Sequence, residues 1–215
     1  MRMIDIITRE DWIREYEFFN EFKQSPYFDV LLDTYRNLNT DILFDSKVHG
    51  QDHIERVIFY ALVLSWKYEL DERDTDILRH AASLHDTQRQ NDGWDIDHGR
   101  RAAIESIDYA TVDPDDKNIL QAVITAHSDD DKNLDDAIKE FDVIDSDRAI
   151  FLAKLFKDAD ALDRVRINML DTSYLRNEFS RELVDFAYVL FEKYWYNWHI
   201  IFSIIKLYCT KNLGE

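Results

Sequence analysis

His85 and Asp86 stand side by side at the end of the run Ile-Leu-Arg-His-Ala-Ala-Ser-Leu-His-Asp, residues 77–86. An imidazole beside a carboxylate suits a divalent transition ion. Ile77, Leu78, Ala81, Ala82 and Leu84 recur at helical spacing, so a helix presses that face into a core and carries the pair at its inner end. Alone, the dipeptide is also what an ordinary helix end carries. Other residues of the same kind add to it: His53, His98, His127 and Asp160, each near a helix end or on an inner helical face. Nitrogen and oxygen donors sent inward from several helices are how helical bundles build metal sites.

Neighbouring candidates divide by context. Asp160 lies between Ala159 and Ala161-Leu162, where a carboxylate needs a partner or a metal to offset its desolvation. Asp158 and Asp163 read as solvent-facing or paired with Arg164 and Arg166. His49 precedes Gly50 and stands near the ligands rather than among them, and His80 reads as a partly exposed helix residue. Asp129 to Asp131, with Asp135 and Asp136, read as a solvated loop without calcium-loop spacing.

The elements that must position these residues are helices. Four Gly and two Pro are too few for the turns of a sheet-rich chain. Thr8 and Asp11 form a relaxed capping box, and Trp12, Ile13, Tyr16, Phe19 and Phe22 then read as one amphipathic helix. Ser25-Pro26 opens a second helix, and Gly50 bends the chain before a third that carries Ile54, Val57, Ile58, Ala61 and Leu62. Asp71 caps the helix that ends in His85-Asp86, and the polar loop Thr87 to Trp94 is long enough to line a cleft. A helix follows His98-Gly99 with Ile104 and Ile107 on its apolar side, and another follows Asp113-Pro114 and leads to His127. From about Arg181 a long aromatic helix is expected, with Leu183, Phe186, Leu190, Phe191, Tyr194, Trp195, Trp198, Ile201 and Ile205 packing on the core or joining a homodimer.

Composition narrows the function. A net charge of −18 argues against nucleic-acid binding and against anionic membranes. It leaves a phosphorylated substrate open, because a metal supplies local positive charge. Cys209 is the single cysteine, so no intrachain disulfide or thiolate zinc cluster forms, and a reducing, cytoplasmic location is expected. Residues 1–10 lack the long apolar run of a signal peptide. The apolar stretch 184–208 is broken by Asp185, Glu192, Lys193, His199 and Lys206, unlike a membrane span.

In residue type, order and separation, three pieces make the chain resemble the HD-domain superfamily of metal-dependent phosphohydrolases. They are His53-Ile54-Glu55-Arg56-Val57, Ala81-Ala82-Ser83-Leu84-His85-Asp86 and Asp158-Ala159-Asp160-Ala161-Leu162-Asp163. His49-Gly50 before the first piece, and Asn91-Asp92 and His98-Gly99 after the second, are similar to small bacterial HD-domain phosphohydrolases. The resemblance covers residues 46–166 of what reads as a single domain, with residues 1–45 and 167–215 as helical additions. It implies an all-α HD-domain bundle in which His53, His85, Asp86 and Asp160 hold one divalent ion, with Mn, Fe, Co, Ni and Zn not distinguished. It further implies hydrolysis of a nucleotide or related small phosphorylated compound by metal-activated water, with Asp86 also a proton partner. His98 and His127 then contact the substrate, or hold a second metal as in cyclic-dinucleotide phosphodiesterases and di-iron oxygenases of this fold. Arg56, Arg89, Arg100 and Lys157 are the cations nearest the motifs in sequence and the candidates for substrate phosphate.

The chain also departs from family patterns. Thr87-Gln88-Arg89-Gln90 stands where alarmone hydrolases carry an acidic pair, and the Gly-Tyr-Pro element of the cyclic-dinucleotide type is missing. A di-iron oxygenase, and a non-catalytic metal-binding regulator using the C-terminal aromatic helix as partner surface, are the alternatives.

Overall fold

The computed structural model describes residues 2–193. Among them the regular structure is entirely helical. The α-helices are α1 (Met3–Arg9), α2 (Glu17–Lys23), α3 (Pro26–Arg36), α4 (Gln51–Lys67), α5 (Glu72–Leu84), α6 (His98–Glu105), α7 (Lys117–His127), α8 (Leu134–Glu140), α9 (Ser146–Leu162) and α10 (Glu178–Glu182). Helical residues 184–193 follow. None of the helices among the described residues is long and apolar enough to cross a membrane.

Helix α4 is the axis. Every residue from His53 to Ser65 is buried, as expected of a helix that is apolar nearly all round. It packs against α3, α5 and α9, and α7 packs against α5, α6, α8 and α9. Local chemistry sets several starts. The Asp71 carboxylate accepts from the Asp74 N–H, Asp145 accepts from the Arg148 N–H, and Pro26 sits in the first turn of α3. Helix α1 is tied to α4 because Glu55 Oε2 accepts from the Met3 N–H at 2.8 Å and pairs with Arg2.

The structure differs from the sequence reading at four elements. Thr8 is no cap: it lies inside α1 and donates to the Ile4 carbonyl. The single helix expected over Trp12 to Phe22 is split at Tyr16, which is extended (φ −91, ψ 119), into a 3-10 turn (Trp12–Glu15) and α2. The split lets Tyr16 and Phe18, which a helix would turn to opposite sides, both meet Phe186, at ring separations of 4.9 and 5.0 Å. Ile104 is 47% exposed, and Gly99, Ala102 and Ala103 face the core instead, because α6 approaches α7 closely through small residues.

The C-terminal helix is interrupted at Leu183, beyond which Phe186, Ala187 and Leu190 are buried in the core. Tyr194, Trp195, Trp198, Ile201, Ile205 and Cys209, and with them most of the expected dimer surface, lie outside the described residues.

Candidate metal centre

Four imidazoles and two carboxylates converge where α4, α5, α6, α7 and α9 meet. His53 comes from the first turn of α4, His85-Asp86 follows α5, His98 opens α6, His127 ends α7, and Asp160 sits in the last turn of α9. Helix termini suit this task, since the side chain there is fixed by the helix yet can point past its end. Gly99 allows the closest approach. A Cβ at that position would lie 2.7 Å from the Ile124 carbonyl oxygen and 2.9 Å from the His127 ring.

The donor atoms form two groups that share Asp86. On one side, His53 Nε2 lies 3.1 Å from His85 Nε2, 3.3 Å from Asp86 Oδ2 and 3.4 Å from Asp160 Oδ1. On the other, His98 Nε2 lies 2.9 Å from His127 Nε2 and 3.0 Å from Asp86 Oδ1.

The other ring nitrogens select the tautomer of each neutral ring. His85 Nδ1 faces the Ala82 carbonyl at 3.0 Å, His127 Nδ1 the Ile124 carbonyl at 2.5 Å, and His98 Nδ1 the Asp95 carbonyl. His53 Nδ1 faces the Asp163 carboxylate at 2.7 Å. A carbonyl or an ionised carboxylate only accepts, so each Nδ1 carries an N–H and, in the neutral ring, each Nε2 presents a lone pair. Two such nitrogens 3.1 Å apart, beside carboxylate oxygens, suit a cation between them. Protons fill that role poorly, because burial pushes His85 down to about 3 and also lowers His127. The groups His53/His85/Asp86 and Asp86/His98/His127 could therefore each hold a metal ion.

Behind His53 the carboxylate is itself held. Arg56 Nε donates to Asp163 Oδ1 at 2.5 Å and its Nη2 to Oδ2 at 3.0 Å. Burial favours the neutral acid, but Arg56, the His53 bond and Arg166 outweigh it and hold the Asp163 carboxyl at about 2. This corrects the reading of Asp163 as solvent-facing or paired with its neighbouring arginines: it is fully buried, because α9 ends at Leu162 and the 3-10 turn Asp163–Ile167 curls it inward. Only Arg166, 3.5 Å away, joins it from the expected pair. Asp158 is likewise buried rather than solvated, accepting from the N–H groups of Arg176 and Asn177 and from both their side chains. Asp131 is not merely loop solvent: it pairs with Arg176 at 2.7 Å and Lys157 at 2.8 Å.

A cleft of about 310 Å³ opens onto the centre, lined among others by Asp86, His98, His127, Asp160, Arg89, Arg164, Arg166 and Trp94. Of the four cations chosen from sequence, Arg89 lines the cleft and donates to Asp86 Oδ1 at 2.8 Å. Arg56 lies behind the centre on Asp163. Lys157 is buried at the end of α7, donating to the Ala126 and Asp129 carbonyls. Arg100 is 54% exposed and pairs with Glu140 on the outer side of α6. Sequence reasoning passed over Arg164 and Arg166 as cleft cations; their place just after the Asp160 motif was the available signal. His49 lines the cleft and bonds Asp92 at 2.8 Å, which agrees with leaving it out of the ligand set.

No family model matches the chain, and neither a curated protein nor a solved structure matches it.

Proposed function

We propose that this chain is a metal-dependent phosphohydrolase related to the HD-domain proteins, acting in the cytoplasm on a nucleotide or another small phosphorylated compound. One observation carries the reading: Asp86 is shared by two pairs of buried imidazoles whose Nε2 atoms face each other at 3.1 and 2.9 Å. His53, His85, Asp86 and Asp160 would hold one divalent transition ion, and Asp86, His98 and His127 a second. Ions in such positions lower the pKa of water and polarise a phosphoryl oxygen.

The chain's own residues supply the rest. Arg164, exposed at the cleft, meets a substrate phosphate, and Arg89 steadies Asp86 while adding positive charge to the same wall. Asp86 and Asp160 are the carboxylates of the centre that reach the cleft, and either can take a proton from an attacking water. The cleft volume suits a small molecule. Asp86→Ala should abolish metal-dependent phosphate release across a panel of nucleotides and sugar phosphates. Full activity in that variant would defeat the proposal.

The His98–His127 pair also favours a second reading, a di-iron oxygenase, because it offers a second ion two imidazoles and a shared carboxylate. Elemental analysis of protein purified without added metal separates the two. Two irons per chain, with iron-dependent oxygen uptake and no phosphate release, would select the oxygenase.

A further inference from the structure

Two ion positions that share Asp86 need not be equal, and here four features make them differ. The first is charge. The His53–His85 side has two carboxylates, Asp86 Oδ2 and Asp160 Oδ1, within 3.4 Å of His53 Nε2. The His98–His127 side has only Asp86 Oδ1, 3.0 Å from His98 Nε2. Ion affinity grows with the number of anionic donors. The second is what stands behind each imidazole. His53 alone gives its Nδ1–H to a carboxylate, Asp163, which strengthens the opposite nitrogen as a donor. His98 and His127 give theirs to neutral carbonyls. The third is Arg89, whose Nε already donates to the same Asp86 oxygen that faces His98. A cation arriving there meets a positive neighbour and a partly committed acceptor. Access differs too: His98 and His127 line the cleft, and His53 and His85 lie behind it.

We infer that the centre loads in order. The position formed by His53, His85, Asp86 and Asp160 takes the first ion and holds it tightly. The position formed by Asp86, His98 and His127 takes a second, exchangeable ion whose affinity is set by Arg89. This rests on the metal-dependent reading above and adds a regulation to it: the full site exists only when free divalent metal is abundant.

Titration of the metal-stripped full chain with Mn²⁺ tests it, followed by calorimetry and by elemental analysis after dialysis. Two events of one ion each are expected, separated by about tenfold or more in Kd, the scale on which supporting partners act. Arg89→Met should tighten the second event by more than it changes the first. Asp163→Asn should weaken the first by about 10–100-fold. His98→Ala should remove only the second. The metal-free circular dichroism spectrum and Tm of each variant control for folding, and Arg89→Met, at the cleft, stands in if Asp163→Asn does not fold. Two ions of equal affinity, or loss of the tighter ion in His98→Ala, would overturn the loading order. A wild-type chain that folds normally and binds neither Mn²⁺ nor Zn²⁺ would instead remove the metal-dependent reading on which it stands.

Discussion

Gly99→Ala gives the sharpest test of how the second imidazole pair is held. The added methyl group would lie 2.7 Å from the Ile124 carbonyl oxygen, 2.7 Å from Ser128 Oγ and 2.9 Å from His127 Cε1. Ser128 can turn aside, but the Ile124 carbonyl is part of α7 and already accepts from His127 Nδ1. Relief therefore requires α6 and α7 to separate. Overpacking of this kind costs about 3 kcal/mol at the upper end of its range. Replacing Gly by Ala in a helix returns up to about 1 kcal/mol. The net loss is about 2 kcal/mol, or roughly 4–8 °C in Tm for a chain of this size. The same movement draws His98 away from His127 while His53 and His85, on α4 and beyond α5, stay in place. Thermal unfolding of the metal-free variant reads the first effect, and metal content after dialysis against Mn²⁺ reads the second. An unchanged Tm together with full loading of both positions would refute the close-approach argument.

Further outcomes follow from the cation placements and from the acidic loop. Arg164→Ala should raise KM about tenfold with kcat unchanged, the loss of one charge-assisted contact, whereas the exposed pair of Arg100 predicts an Arg100→Ala variant within about 0.5 kcal/mol of wild type and with unaltered kinetics. Lys157→Met removes the donor shared by the Ala126 and Asp129 carbonyls and leaves Asp131 with Arg176 alone, and should cost about 1–3 kcal/mol in urea unfolding; a shift below a few tenths would count against Lys157 as the clasp of α7. Arg176 first, then Lys157, hold Asp131 down at about 2, so its folded pKa lies below its unfolded value. Its contribution to stability is present above the unfolded pKa and is lost as pH falls from about 4 towards 2. The Tm of Asp131→Asn should accordingly fall less steeply than that of wild type over this window; parallel curves would contradict the pairing.

The all-helical class was legible because turn residues are scarce and apolar spacing is regular, and α4, α5 and α7 lie where that spacing put them. The residues with rare chemistry were legible as well: His53, His85, Asp86, His98, His127 and Asp160 come together at one place. What escaped were features set by tertiary geometry. Asp163 follows the last residue of α9, and a 3-10 turn redirects it under α4, a change that helical periodicity does not report. Asp158 faces away from Asp160, but the segment around Arg176 and Asn177 covers that side, so both faces of the helix are buried. Nearness in sequence also misled for Arg100, because one turn of helix is enough to move a guanidinium from the cleft to the outer surface.

The bond from His53 to Asp163 joins positions 110 residues apart. Closing a loop of that length costs about 4 kcal/mol in chain entropy before any contact compensates. Helices α4 and α5, neighbours in sequence, can pair early, but the centre is complete only once α9 has docked against both. An ion that needs donors from both α4 and α9 finds them assembled only at the end of folding, so it cannot act as a nucleus. The effect of such an ion would fall on the reverse rate: α9 would have to release it before leaving α4, so it would act as a brake on unfolding that leaves the speed of folding nearly untouched.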